Sequence, residues 1–128
     1  PNTPAQHAAA VALTMPQDCV EEMRQAFEQR RDELCEGINS IDGLSCRVPE
    51  GAFYVMVNVS GCVGRLCQGT PIADSDDFAN RLLDMAHVAT VPGGAFMAEG
   101  YVRVSYATSI ENIREGLRRI EAFVAALQ

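Results

Sequence analysis

The stretch YVRVSYATSIENIREGLRRIEAFVAALQ, residues 101–128, predicts a short β-strand followed by a long amphipathic helix. Apolar residues recur every three or four positions along the helix and form one stripe: Ile110, Ile113, Leu117, Ile120, Phe123, Val124 and Leu127. Thr108 and Glu111 have the spacing of a capping box at the start of a helix. An amphipathic helix buries its apolar stripe against another element, so this stretch predicts a helix packed on a sheet.

The rest of the chain predicts three more helices and three more strands. The helices are residues 4–13, a helix that begins at Pro16 and ends at Gly37 or Gly43, and a helix capped by Asp74 and Ser75 that runs to Ala86. The strands are residues 44–48, 52–59 and 88–91, and residues 61–71 are expected to form a loop. Long helices on one side of a small mixed sheet make a two-layer α+β fold. Since no repeat or linker divides the chain, residues 1–128 are expected to form one domain, entered through a helical segment at 1–15.

The composition excludes several classes of protein. The chain has 128 residues, of which 48% are hydrophobic and 21% charged, as in one soluble domain. The sequence contains no apolar run long enough for a membrane helix and no signal segment, so we do not expect a membrane protein. Seventeen acidic residues against ten basic ones give a net charge of −7, which argues against nucleic-acid binding. All ten basic residues are Arg, so no Lys could form a Schiff base. The chain begins Pro-Asn-Thr rather than with Met, and we expect it to be part of a longer protein.

The cysteines predict neither a disulfide framework nor a metal site. The five thiols contain no C-x-x-C pair and are odd in number, which favours free thiols in a reducing, cytoplasmic compartment. A metal site could be formed by Cys62, Cys67 and His87, but the spacing between them is loose and a fourth ligand is missing. We therefore expect no metal.

Arg103 is the candidate binding residue. It lies in the middle of the predicted strand, on the face opposite Val102 and Val104. A planar guanidinium mounted on a strand suits bidentate binding of a carboxylate or a phosphate. The alternative is an Arg that only faces solvent, and periodicity alone favours that alternative. Phe53 and Tyr54 could line a pocket, although core packing is the simpler expectation for them.

Three motifs in a fixed order carry a family resemblance: PEGAFY at 49–54, VPGGAF at 91–96, and GYVRVSYA at 100–107 before the last helix. In this order and spacing the chain resembles the C-terminal small domain of class I/II pyridoxal-phosphate-dependent aminotransferases, of the aspartate aminotransferase type. The resemblance covers nearly the whole chain, and any one of the motifs alone would be weak.

The resemblance implies a role for each matching residue. Arg103 matches the arginine that binds the α-carboxylate of the amino-acid or 2-oxo-acid substrate. Gly51, Ala52 and Phe53 match the turn that closes over this ligand. The catalytic lysine and the residues that bind pyridoxal 5'-phosphate lie upstream in the family, so none is expected in this chain.

For the full-length protein, the resemblance implies a homodimeric transaminase that carries pyridoxal phosphate. Residues 1–15 would then lead from a missing N-terminal large domain. This fragment alone is expected to bind no cofactor and to be inactive. Side-chain selectivity in the family comes largely from the other domain and the partner subunit, so the resemblance points to no particular amino acid.

Two other functions fit the residues. A regulatory module that binds a small ligand such as an amino acid would keep Arg103 as its carboxylate anchor without any upstream enzyme. An oligomerising α+β domain would need no ligand.

Overall fold

The computed structural model describes residues 2–128, which fold into four α-helices and six short strands. The helices are α1 (Thr3–Thr14), α2 (Asp18–Asn39), α3 (Ser75–Ala86) and α4 (Ile110–Ala125). The strands are β1 (Ser45–Cys46), β2 (Tyr54–Asn58), β3 (Leu66–Cys67), β4 (Thr70–Pro71), β5 (Val91–Pro92) and β6 (Tyr101–Ser105). Pro1, the first residue of the predicted segment 1–15, lies outside the described residues.

Four of the strands form one sheet in the order β1-β2-β6-β5. Every neighbouring pair is antiparallel, so the prediction of a mixed sheet is wrong. The short connections at residues 47–53 and 93–100 join the adjacent strands β1–β2 and β5–β6, and a short turn between adjacent strands makes them antiparallel. The strands β3 and β4 form a separate small hairpin within residues 61–71, where the sequence predicts only a loop.

The helices cover one face of this sheet, which confirms the predicted two-layer α+β fold. Val55 and Val57 of β2 and Val102 of β6 point into the core and are almost fully buried. Their helical partners are Leu34 and Ile38 of α2, Phe78 and Leu82 of α3, and Ile113, Ile120, Phe123 and Val124 of α4. Each fully buried side chain of this size contributes about 1.5–3 kcal/mol of hydrophobic free energy. The opposite face of the sheet carries side chains that are half-buried: Tyr54, Met56, Asn58 and Arg103.

The helix caps follow the sequence closely at α3 and less closely at α4. Asp74 caps α3 as predicted, because its carboxylate accepts a 2.8 Å hydrogen bond from the backbone N–H of Asp77. The cap of α4 is Ser109 rather than Thr108, since the Ser109 hydroxyl accepts from the Asn112 N–H at 3.3 Å. The Thr108 hydroxyl instead accepts from the side-chain amide of Asn112 at 3.0 Å.

The first helix lies apart from this core. All residues of α1 are exposed, and Asn2 caps the helix by accepting a 2.8 Å hydrogen bond from the N–H of Ala5. Among residues 2–128, no helix has the length and apolar character needed to cross a bilayer.

Candidate carboxylate-binding site

Arg103 lies at the centre of the sheet, on the face opposite the buried Val102. Its backbone pairs with Met56 of β2 on one side and with Val91 of β5 on the other. Two hydrogen-bonded neighbours fix the strand on both edges, so the base of the Arg103 side chain is rigid. The placement on this face agrees with the alternation predicted for residues 101–106, since Val102 is buried and Arg103 is half-buried.

Two aromatic rings enclose the Arg103 guanidinium. Its Cζ lies 4.3 Å from the ring centroid of Tyr54 and 4.3 Å from that of Phe96. Phe53 in turn packs on Tyr54 with 4.2 Å between ring centroids and an interplanar angle of 42°. Such cation–π contacts stabilise a guanidinium by about 0.5–1 kcal/mol each when exposed, and more when desolvated. These contacts link four side chains in the order Phe53, Tyr54, Arg103, Phe96, and this group is called the stack below.

The hydrogen-bond donors of Arg103 are uncommitted. Within residues 2–128 the guanidinium makes no hydrogen bond and no ion pair; its contacts are the two rings. Most of the other arginines are paired with carboxylates: Arg24, Arg31, Arg81, Arg114, Arg118 and Arg119. A positive charge with free, coplanar N–H groups is the arrangement that binds a carboxylate or a phosphate in a bidentate manner.

The turn before β2 is held in an unusual conformation. Ala52 has a positive φ of 64°, in the left-handed region that favours glycine. Tyr106 fixes this turn, because its hydroxyl donates to the carbonyl oxygen of Ala52 and its backbone N–H donates to that of Phe53, both at 3.0 Å. Burial raises the pKa of Tyr106, so the hydroxyl remains protonated as a donor at neutral pH.

The second turn, a 3-10 helix at Gly93–Phe96, positions Phe96. A Cβ on Gly93 would lie 2.6 Å from the carbonyl oxygen of Tyr101 and even closer to that of Ala98, so only glycine fits there. The backbone N–H of Ala98 donates to the Gly93 carbonyl at 3.0 Å and closes the turn. Close backbone packing therefore sets where Phe96 lies.

The predicted site residues are only partly gathered around Arg103. Phe53 reaches it through Tyr54, and the prediction that Phe53 packs in the core is wrong, since 42% of its surface is exposed. Gly51 and Ala52 line a neighbouring depression of about 210 Å³ with Arg24 and Arg31 of α2.

The sequence interpretation missed Phe96 altogether. The only sequence signal for it is that both glycine turns, GAFY and GGAF, carry an aromatic residue two positions after their last glycine.

The two cysteines considered as metal ligands contact other groups. The Cys62 thiol lies 3.9 Å from the carbonyl oxygen of Gly43, and the Cys67 thiol lies 3.4 Å from the sulfur of Met85. Burial raises the pKa of the Cys62 thiol. Over residues 2–128, no group of three or more His, Cys, Asp or Glu side chains is arranged to hold a metal ion.

Comparison with known proteins shows the family to which the chain is similar. Residues 2–120 match the family model for aminotransferases of class I and II. The chain is 48% identical over 126 residues to an aspartate aminotransferase of Rhizobium meliloti (strain 1021), which covers 95% of the chain and 30% of the relative. It is 42% identical over 127 residues to an aspartate/prephenate aminotransferase of Nitrosomonas europaea, which covers 98% of the chain and 32% of the relative.

Solved structures give the same picture. The crystal structure of the aspartate aminotransferase from Rhizobium meliloti superposes with a TM-score of 0.92 at 46% identity, covering 96% of this chain and 31% of that one. An alanine aminotransferase from Pyrococcus furiosus superposes with a TM-score of 0.83 at 33% identity, covering 98% of this chain and 30% of that one. The chain spans about 30% of the length of these relatives, in their C-terminal part.

Proposed function

We propose, from the premise that this chain belongs to the family of class I and II aminotransferases, that it serves as the small domain of a transaminase. The complete enzyme would transfer an amino group between an amino acid and a 2-oxo acid. The observation that carries the proposal is the Arg103 guanidinium, which is fixed between two rings and has no hydrogen-bonding partner within residues 2–128.

Arg103 is proposed to bind the α-carboxylate of the substrate. Charge-assisted hydrogen bonds contribute about 1.5–3 kcal/mol, which corresponds to about 10- to 100-fold in rate when the interaction is made in the transition state. Because the guanidinium is attached to a central strand, the bound carboxylate would also be held in a fixed orientation. Orientation of this kind directs the reacting bond of the substrate toward the catalytic groups.

Gly51, Ala52 and Phe53 are proposed to close over the bound substrate. Two properties support this role: the Phe53 ring is partly exposed at the end of the stack, and Tyr106 holds the turn that carries it. Closure of such a turn with its domain excludes water from the reaction.

Pyridoxal 5'-phosphate, the cofactor that the family implies for the complete enzyme, supplies an electron sink for amino-acid chemistry. This chain contains no lysine, so it lacks the residue type that attaches the cofactor, and none of its residues is assigned a role toward it. We therefore propose that the catalytic residues belong to an N-terminal large domain, and that residues 1–128 alone are inactive.

The proposal extends to assembly and compartment. We propose a homodimer, as expected from the family, in the reducing environment of the cytoplasm. The thiols of all five cysteines are free, as such an environment requires. The relatives are named for different substrates, so the amino acid is to be identified by assay.

The test is Arg103→Leu in the complete enzyme, assayed with aspartate, alanine and phenylalanine as amino donors. We expect kcat/KM to fall by about 10- to 100-fold for the best donor, while the visible absorbance of bound pyridoxal phosphate is unchanged. Arg118→Leu is the matched control, because within residues 2–128 the Arg118 side chain pairs only with Glu115, on the surface of α4. Unchanged kcat/KM in Arg103→Leu would refute the assignment.

A further inference from the structure

We infer that Tyr54 and Phe96 are positioning residues that hold the Arg103 guanidinium in one plane and make the site selective for a flat anion. The site would then prefer a carboxylate to a tetrahedral phosphonate or phosphate. This inference rests on the proposed function of Arg103 and adds to it the residues that set its geometry and its selectivity.

The inference assigns the two faces of the guanidinium to the two rings and its edge to the anion. A guanidinium is planar, and its five N–H bonds all lie in that plane. Tyr54 and Phe96 each place a ring centroid 4.3 Å from Cζ, close enough for each ring to cover one of the two faces where no donor points. With both faces covered, an anion would reach the donors from the edge, between the two rings.

The rings themselves are held by independent parts of the fold. Tyr54 lies on β2, in register with Ser105 of β6, and Phe53 packs on its ring. Phe96 lies on the 3-10 turn that the close backbone contacts of Gly93 fix in place. Because neither ring depends on the other, the gap between them is set by the sheet and the turn. The rotamer freedom that Arg103 would otherwise lose on binding is therefore lost already in the free protein.

This geometry discriminates between anions by shape. Both oxygens of a carboxylate can lie in the guanidinium plane and accept two parallel hydrogen bonds. A phosphonate has three oxygens in a tetrahedral arrangement, so at least one oxygen projects out of that plane toward a flanking ring. The face of an aromatic ring carries negative charge density and disfavours an anionic oxygen. The clamp of Tyr54 and Phe96 should therefore favour the flat anion.

The test compares variants that remove a ring with variants that keep it, in the complete enzyme. Tyr54→Leu and Phe96→Leu remove a ring, whereas Tyr54→Phe and Phe96→Tyr preserve one. For each variant, KM and kcat are measured with the best donor among aspartate, alanine and phenylalanine. The inhibition constant is measured for the aminophosphonic acid with the same side chain, in which a phosphonate replaces the α-carboxylate.

Removal of one ring should raise KM by about three- to tenfold, with a smaller change in kcat. The preference for carboxylate over phosphonate, taken as the inhibition constant divided by KM, should fall by at least about threefold. The variants that keep the ring should stay within about twofold of wild type in both quantities. A residue that merely supports the fold would not change the preference between the two anions.

Two controls separate the outcomes. Met97→Leu alters the residue after Phe96. Met97 is 97% exposed, so this variant should leave KM and the preference unchanged. Arg103→Leu tests the proposed function by itself: if it leaves KM unchanged, the proposed function fails. If it raises KM while folded Tyr54→Leu and Phe96→Leu leave KM and the preference unchanged, this inference alone is overturned. Should Tyr54→Leu fail to fold by circular dichroism, Phe96→Leu carries the test, because Phe96 lies on a turn and is 41% exposed.

Discussion

The hydroxyl of Tyr106 donates a 3.0 Å hydrogen bond to the carbonyl oxygen of Ala52. This bond joins the residue after β6 to the turn before β2, across 54 positions of the chain. The backbone N–H of Tyr106 also donates to the carbonyl of Phe53, so one residue holds two successive peptide groups of the turn. The strand that carries Arg103 therefore continues directly into the residue that fixes the neighbouring turn.

Tyr106→Phe removes the hydroxyl and keeps the buried ring. We expect the free energy of unfolding to fall by about 0.5–1.5 kcal/mol, the typical contribution of one hydrogen bond, as measured by urea denaturation. The KM of the complete enzyme for its amino donor should also rise, because the turn that carries Phe53 loses a restraint. Tyr101→Phe is the control, since within residues 2–128 the Tyr101 hydroxyl has no hydrogen-bond partner. Equal losses of stability in the two variants would contradict the role of Tyr106.

The left-handed backbone of Ala52 predicts a substitution that stabilises the protein. An alanine side chain at φ 64° destabilises the folded state by about 1–2 kcal/mol. A glycine at the same position would lower the stability by about 0.4–1 kcal/mol, because it gives the unfolded chain more conformational entropy. Ala52→Gly should therefore raise the free energy of unfolding by up to about 1.5 kcal/mol. Ala122→Gly, on the exposed face of α4, should lower it by about 1 kcal/mol. The opposite signs are the expected result, and a loss of stability in both variants would show that Ala52 is not strained.

The adjacent glycines of the second turn should respond differently to the same substitution. In Gly93→Ala the new Cβ would lie 2.6 Å from the backbone oxygen of Tyr101, so the turn must move, and we expect a loss of about 1–3 kcal/mol. In Gly94→Ala the nearest atom is Oε1 of Glu99 at 3.1 Å, the end of a flexible side chain, and the loss should be below about 1 kcal/mol. Thermal unfolding of the two variants measures the difference. Similar midpoints for both would mean that the backbone around Gly93 yields easily.

Local patterns in the sequence predicted much of this fold because they have local causes. Asp74 lies at the start of α3 as expected, since a cap needs only a side chain three residues before the N–H that it accepts from. Arg103 lies on the face opposite Val102 because alternation along a strand is a property of the strand itself. The shift of the α4 cap from Thr108 to Ser109 shows the limit of such spacing, since neighbouring hydroxyls compete for the same position.

The contacts that give the candidate site its geometry are not local. Phe96 meets Arg103 because β5 pairs with β6, and Tyr54 meets it because β2 pairs with the other edge of β6. Strand order follows from the packing of the whole domain, and neither composition nor periodicity encodes it residue by residue. For the same reason the sequence could nominate Arg103 as a candidate but could not identify its two flanking rings.

The thiol of Cys46 makes the stability of the protein depend on alkaline pH. Burial first, and the neighbouring Cys35 second, raise the pKa of Cys46 to about 12. In the unfolded chain this thiol ionises above its ordinary pKa, whereas in the folded protein it stays protonated. The folded state therefore binds more protons in this range, and stability should fall as the pH rises from about 9 toward about 12.

Urea denaturation at several pH values between about 8 and about 11 tests this linkage. Cys46→Ser replaces the thiol by a hydroxyl that does not ionise in this range, so the decrease in the free energy of unfolding with pH should be shallower than in wild type. Cys19→Ser changes an exposed thiol on α2 and should keep the wild-type slope. Because Cys35, Cys62 and Tyr106 also have raised pKa values, some dependence on pH should persist in every variant. A Cys46→Ser slope equal to that of wild type would mean that the Cys46 thiol ionises as readily in the folded protein as in the unfolded chain.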